Sequence, residues 1–465
     1  MIMNVEKIKY RMQITKLTFS LLVCLMLLAG CDDFLDTKDP TGQISHENVF
    51  EDEITATAAV TTLYAKLRDE VLVTGNTSGL GFLMGLYADE LDYYGMPGEP
   101  LETFYKHQVI TSDVLVSNLW NSSYNLIYLT NAAIEGLEAS QNLSESTKNQ
   151  LIGEAKFIRG LTHFYLTNLF GDIPYITTTN YDHNRQVSKL AVHDVYDNLI
   201  SDLESAKALL GENYIGAERI RANKFAVSAF LARVYLYRGE WAKAESESSM
   251  VINYTVLYNL PSIESEFLKS SPAAILQLKT KMEGYIPNEA MTLYFASGPP
   301  PFTALNENIL TVMEDGDLRR THWIGEVTDG TNYWYYSNKY KQTPGAEYSV
   351  VLRLAEQHLI RAEARAEQND FNGAREDLNI IRNRAGLPDT SAQTQEELLE
   401  AVLQERRIEL MIEHGHRWFD LRRFTRADAV LAPLKPGWRP TNILLPIPET
   451  ELLMNPNLNP QNNGY

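Results

Sequence analysis

Six aromatic residues, Trp323, Tyr333, Trp334, Tyr335, Tyr336 and Tyr340, fall within 18 positions of one another. Across the chain 25 Tyr stand against 16 Phe and 6 Trp, so many rings carry a hydroxyl. Such rings can stack on the flat apolar face of a sugar while their polar ends hydrogen-bond its hydroxyls. A second group, Tyr93 and Tyr94 with Phe104 and Tyr105, lies in residues 72–112, a Gly- and Pro-punctuated stretch that reads as a long loop region, and long loops in compact domains tend to be functional. The candidate ligand-binding residues are therefore Tyr93, Tyr94, Trp323, Tyr333, Trp334 and Tyr335. The competing reading packs the same rings against the protein's own scaffold.

Two other constellations invite chemistry. Glu405, Glu409 and Glu413 recur every fourth residue, which on one helix face would set two carboxylates across a glycosidic bond as acid and base. Arg406, Arg407, Arg417, Arg422 and Arg423 crowd the same stretch, however, and a structural ion network accounts for every glutamate without a substrate. His414 and His416 with Glu413 could begin a metal site, but two histidines two apart diverge on a helix and no third ligand is evident. No nucleophile elbow, P-loop or dinucleotide fingerprint occurs. The sequence assigns no catalytic residue, no metal and no cofactor, and the expectation is a binding protein rather than an enzyme.

Cys31 carries a different chemistry. Lys7, Lys9, Arg11 and Lys16 precede an apolar run from Leu17 to Leu28, the charged-then-apolar order of a secretory signal. At about 12 residues the run is shorter than the roughly 20 a spanning helix needs. It ends in Leu28-Ala29-Gly30-Cys31, which looks like a bacterial lipobox, where the thiol is diacylated and the Cys becomes the new N-terminus. The chain has two cysteines, and Cys24 lies in the segment that would be discarded. The mature protein then has no disulfide. Fatty chains on Cys31 bury enough methylenes, at about 0.8 kcal/mol each, to anchor it stably.

Formal net charge is -19; loss of residues 1–30 removes four basic groups and the acid Glu6, leaving -22. Such a surface repels phosphate backbones, and nucleic acid is not an expected partner. A hydrophobic content of 44% with 22% charged residues is that of a folded globular chain.

The elements that must position these residues are mostly helical. After an acidic tether from Cys31, helical periodicity predicts helices over residues 48–68, 116–139, 145–170 and 192–210. A hairpin over 224–253 follows, in which Leu231, Ala232, Tyr235, Gly239 and Ala244 stand at tetratricopeptide spacing. A weaker echo in residues 359–386 places Ala362, Ala366 and Ala374 among Leu378 and Ile381. Between them, about 255–350, helical periodicity vanishes; alternation around residues 333–340 predicts one strand with rings on both faces. Thr394 to Glu397 is a T-x-x-E capping box opening a helix that the pattern carries to about Phe424.

That last helix holds ERRIELMIEHGHRWFDLRR, which closely resembles the signature of the SusD/RagB family of outer-membrane lipoproteins from Bacteroidetes. HLIRAEARAEQNDFNGAREDLNIIRNRAGL before it, LLPIPETELLMNPNLNPQNNGY at the end, and WNSSYNLIYLTNAAIEGL, AKFIRGLTHFYLTNLFGDIPYI and the lipobox upstream are similar to the family in the same order. His414-Gly415-His416 departs from it, the family commonly having an aromatic residue or Glu before Gly-His-Arg. The resemblance implies a mainly α protein: a tetratricopeptide-like superhelix of about four helix pairs with an irregular, loop-rich insert. The expected layout is a signal peptide over 1–30, an N-terminal segment over 31–225 and a C-terminal segment over 226–465, with the insert at about 255–350. It implies a lipid-anchored protein of the outer membrane, facing the exterior, that binds oligosaccharides and passes them to a SusC-like TonB-dependent transporter. Peptide capture by the same kind of lid, or a lipid-anchored glycoside hydrolase, are the alternatives. The family's ligand contacts follow no motif, so the aromatic candidates rest on composition and placement alone.

Overall fold

The structure is a computed structural model that describes residues 7–18 and 49–465. It divides into an N-terminal unit, residues 1–49, whose described residues are a helix over 7–18 and Val49, and a body from Phe50 to Tyr465. Cys31, the lipobox and the tether lie outside the described residues. No helix among the described residues is long and apolar enough to cross a membrane.

In chain order the body's helices are α1 (Glu53–Asp69), α2 (Leu80–Tyr87), α3 (Pro100–Tyr105), α4 (Val114–Ala139), α5 (Glu145–Phe170), α6 (Tyr181–Asn184), α7 (Val192–Leu209), α8 (Lys224–Arg238), α9 (Trp241–Ile252), α10 (Asn288–Leu293), α11 (Asn308–Thr311), α12 (Leu318–Trp323), α13 (Leu354–Glu367), α14 (Phe371–Arg384), α15 (Gln395–Glu409), α16 (His416–Arg423), α17 (Ala427–Leu431) and α18 (Glu449–Met454). The starts follow local chemistry. Asp52, Asp113, Ser144 and Asn223 each accept a backbone N–H of the first turn of α1, α4, α5 and α8, filling donors the helix leaves open. Thr394 and Glu397 form the capping box of α15.

Four antiparallel pairs, α1 with α4, α5 with α7, α8 with α9 and α13 with α14, stack side by side and give the tetratricopeptide-like architecture. Small side chains permit the close approach: Ala232, Ala244, Ala362, Ala366 and Ala374 are fully buried, as are Leu231, Leu378 and Ile381. Gly239 ends α8 at φ +70, a left-handed turn that lets α9 fold straight back.

The stretch 72–112 is more ordered than its composition predicts, holding α2, α3 and strand β1 (Leu91–Tyr93). Its Gly and Pro residues mark turns between short elements rather than one loop. The insert likewise contains strands: β2 (Ala274–Leu278), β3 (Thr303–Leu305), β4 (Ile324–Thr328), β5 (Tyr333–Ser337) and β6 (Ser349–Arg353). They make a four-stranded antiparallel sheet in the order β1-β3-β5-β4 and a two-stranded pair, β2-β6. One core cluster, including Phe82, Leu91, Phe267, Leu305, Trp323, Tyr340, Met411 and Ile412, joins that sheet to α2 and to the end of α15.

The final helix predicted to reach Phe424 breaks into α15 and α16. Ile412 and His414 take positive φ (57 and 46) before Gly415, and the Ile412 N–H, lost to the helix ladder, donates instead to Glu90 Oε1 at 2.9 Å. The three glutamates of this stretch enter a buried ion network. Arg353 reaches Glu409 at 2.5 Å, Glu413 at 2.8 Å and Glu266 at 3.1 Å. Arg319 reaches Glu405 at 2.6 Å, Glu409 at 3.0 Å and Asp317 at 2.9 Å; Arg384 bonds Glu409 and Glu266, and Lys339 meets Glu413 at 2.5 Å. Burial alone would raise the Glu409 carboxyl, but the guanidiniums of Arg384, Arg353 and Arg319 hold it far below the usual carboxylate range. The network exists as the sequence implied, with different cations: the neighbouring arginines face elsewhere, Arg406 and Arg423 onto Asp420 and Arg407 and Arg417 onto Asp89.

Candidate functional site

Strands β1, β3 and β5 of the four-stranded sheet bring four of the six predicted rings together. β1 pairs with β3 through Leu91 and Leu305, Asp92 and Ala304, and Tyr93 and Thr303, and the pairing extends one residue further where Tyr94 N–H donates to Phe302 O at 2.7 Å. β5 lies next to β3, with Leu305 opposite Tyr335. It is held on its other side by β4 across a turn in which Asp329 Oδ1 accepts the N–H groups of Thr331 and Asn332 at 2.8 Å. A groove of about 260 Å³ opens there, with Tyr94, Tyr333, Trp334 and Tyr335 along it and Asp92, Asn306, Glu307 and Asn308 supplying polar groups. Tyr94 is 42% and Tyr333 52% exposed, so their faces are available to a ligand.

The groove is stiffened from behind. Trp334 and Tyr94 stand side by side along it. Asp92 accepts from Asn306 Nδ2 at 2.9 and 3.0 Å and from the Tyr105 hydroxyl at 3.2 Å. Burial, with Asp92 alongside, pushes the Tyr105 hydroxyl up to about 12. Lys435 Nζ lies 3.6 Å from the Tyr105 ring centroid and donates to Leu86 O at 3.0 Å; burial lowers it to about 8.

Trp334 also rests on backbone: a Cβ at Gly298 would stand 2.0 Å from its ring carbon Cζ3. Only glycine allows that approach. Gly298→Ala is therefore expected to push the indole out of line and weaken ligand binding about fivefold, on the order of 1 kcal/mol, with the thermal midpoint little changed; titration calorimetry beside a melting curve checks both.

Two of the predicted residues do not join the groove. Trp323 is fully buried at the C-terminus of α12, its Nε1–H donating to Ile263 O at 3.0 Å and its ring packed 5.5 Å from Phe267. It is a core residue and presents no face to a ligand, because the helix turns it inward under the sheet. Tyr93 neighbours Tyr94 but points to the other side of β1, as strand alternation requires; it packs against the core and donates to Met96 O at 2.8 Å. Tyr336 and Tyr340 are likewise occupied, the first by Tyr294 and Phe295, the second in the core, where its hydroxyl accepts Val350 N–H at 2.9 Å. His414 is buried with Nε2 2.9 Å from Val350 O, and His416 lies 3.9 Å from Glu356; among the described residues no three potential ligands gather around a metal position.

Asp92, Asn306, Glu307 and Asn308 were not singled out from sequence. A polar run directly after the apolar TAL strand was the available signal. Glu90, one residue before β1, is a further buried acid beneath the site: its carbonyl accepts Asn306 N–H at 2.8 Å. Burial raises its carboxyl from 4.5 to about 7. Its folded value lies above its unfolded one, so the stabilisation of the protonated form is complete below about pH 4.5 and is lost as pH rises through about 7. Glu90→Gln should flatten that stretch of the stability profile, by up to about 3 kcal/mol, as read from urea midpoints at pH 5 and pH 8.

A larger cleft, about 710 Å³, lies between α4, the segment 174–187 and the C-terminal residues 451–458, with Trp120, Tyr124, Tyr128 and Tyr181 among its lining. Several of its polar side chains close its own walls: Asn455 Nδ2 donates to Val187 O and Asn457 Nδ2 to Gln186 O, both at 2.8 Å, and Tyr124 donates to Pro174 O at 2.9 Å. The smaller groove gathers four of the predicted rings beside Asp92, Asn306 and Glu307, and it is the candidate site.

Residues 33–236 match a family described as starch-binding and associating with the outer membrane, and residues 313–436 match the SusD family. SusD-like protein P2 of Formosa agariphila is 28% identical over 97% of this chain and 99% of its own. A SusD superfamily protein from Bacteroides vulgatus superposes with a TM-score of 0.76 at 22% identity, covering 90% of this chain and all of the other. A laminarin-binding SusD-like protein superposes equally well, TM-score 0.76 at 23% identity over 90% of this chain and all of its own. At such identities the two structures speak for the fold.

Proposed function

The chain belongs to the SusD family, and from that premise we propose that it is a surface lipoprotein that captures oligosaccharides and passes them to a SusC-like TonB-dependent transporter. Residues 1–30 are its signal peptide, and lipid on Cys31 moors it to the outer membrane. The observation that carries the ligand reading is the convergence of Tyr94, Tyr333, Trp334 and Tyr335 on one groove with Asp92, Asn306 and Glu307 beside them. Rings take the apolar faces of the sugars and the polar groups take their hydroxyls, at roughly 1 kcal/mol per good hydrogen bond. A handful of such contacts gives modest affinity, which suits a protein that must release its cargo. It binds without hydrolysing: Glu405, Glu409 and Glu413 are committed to buried cations and do not line the groove.

Titration calorimetry against panels of oligosaccharides and of peptides tests the reading. Saturable heat from a glycan, and none from peptides, is expected. Peptide binding alone would favour the peptide-capturing alternative, and slow release of reducing ends would reveal a hydrolase. The anchor has its own test, since intact mass spectrometry of the native lipoprotein should find Cys31 acylated, and a free thiol there would remove it.

A further inference from the structure

We infer that the groove takes uncharged sugars and rejects acidic ones, an inference that rests on the glycan reading above. No Lys, Arg or His is among the described residues that line it, whereas two carboxylates, Asp92 and Glu307, do. Asp92 cannot swing aside to relieve a like charge, because Asn306 Nδ2 and the Tyr105 hydroxyl fix both of its oxygens. Glu307 is exposed at the groove wall. Both acids act on Tyr94, raising its hydroxyl together with the larger effect of burial, so both stand close to where a ligand must stack.

The cations nearby do not line the groove. Arg320 lies 5.3 Å over the Tyr335 ring, outside the lining, and faces Glu326 at 3.6 Å. Lys435 is buried behind Tyr105 with its ammonium turned to Leu86 O. A sugar hydroxyl can donate to Asp92 or Glu307, and a neutral oligosaccharide offers one at nearly every position. The carboxylate of a uronate, or a sulfate ester group, adds only acceptors and a negative charge there, and meets two carboxylates of its own sign, Asp92 and Glu307. Two such repulsions across several ångströms at a protein surface amount to a loss of about tenfold or more. The excess of 60 acidic over 41 basic residues works against polyanions at longer range as well.

The test titrates the full protein with neutral hexose oligomers of several linkages and with oligogalacturonates of the same length, in wild type, Trp334→Ala and Glu307→Lys. Expected are neutral binding that depends on Trp334, uronate binding at least about tenfold weaker, and a narrowed gap in Glu307→Lys, whose exposed side chain can be exchanged without touching the core. Uronate binding that depends on Trp334 and equals or exceeds the neutral sugars would overturn the charge inference and leave the glycan reading standing. Failure of both classes to bind, or binding indifferent to Trp334, would bring down the glycan reading and this inference with it.

Discussion

Replacing Arg353 with methionine is expected to lower the stability of the folded chain by about 3–5 kcal/mol, because it leaves buried acids without their partner. The guanidinium is 2% exposed and spends its N–H groups on three acids and a carbonyl: Glu266 at 3.1 Å, Glu409 at 2.5 Å, Glu413 at 2.8 and 2.9 Å, and Glu409 O at 2.6 Å. Its loss leaves three buried carboxylates to share Arg319, Arg384 and Lys339. A urea midpoint displaced by that amount, with unchanged slope, is the expected reading. The acid limb gives a second one. Burial works against ionisation of Glu409 and Glu413, yet the surrounding cations keep both carboxyls below their ordinary 4.5. Their contribution is therefore complete above the unfolded value and lost as pH falls through the folded ones. Without Arg353 the folded values rise, and acid unfolding should begin at a higher pH. Equal midpoints for variant and wild type in both experiments would mean that the network is incidental to stability.

How legible each part was depends on whether it is local. Helix α5 was readable to the residue, because Ser144 caps it and its apolar stripe repeats over 26 positions. The break between α15 and α16 was not, since nothing in ELMIEHGH announces that Ile412 will give its N–H to Glu90, more than 300 residues earlier in the chain. The same distinction divides the site. Aromatic density around residues 333–336 was visible from composition, but the groove is made by a strand from the loop-like stretch, β1, pairing into the insert. Long-range pairing decides which face of β1 is turned to the groove, and sequence alternation alone leaves that choice open. Hence Tyr94 enters the groove and Tyr93 does not. Trp323 failed for a related reason: its density with the other rings is real, but a single turn of helix rotates it under the sheet.

The two tryptophans should consequently come apart in experiment. Trp334→Ala removes a half-buried ring that lines the groove beside Tyr94. Central aromatic anchors of this kind cost 2 kcal/mol or more when truncated, so glycan binding is expected to weaken by roughly 30-fold or more while the melting temperature stays near that of wild type. Trp334→Phe keeps a smaller stacking face and should fall between. Trp323→Ala deletes a fully buried ring amid Phe267, Lys339 and Arg353, which costs about 3–5 kcal/mol of stability through the cavity it leaves. Whatever fraction of that variant remains folded should bind glycan with the affinity of wild type, because the lost ring lies beneath the sheet. Calorimetry at a temperature where both variants are folded, set against their denaturant midpoints, separates the roles. If Trp323→Ala loses affinity in its folded fraction while Trp334→Ala binds as wild type, the ligand does not lie along β5 and the groove is the wrong site.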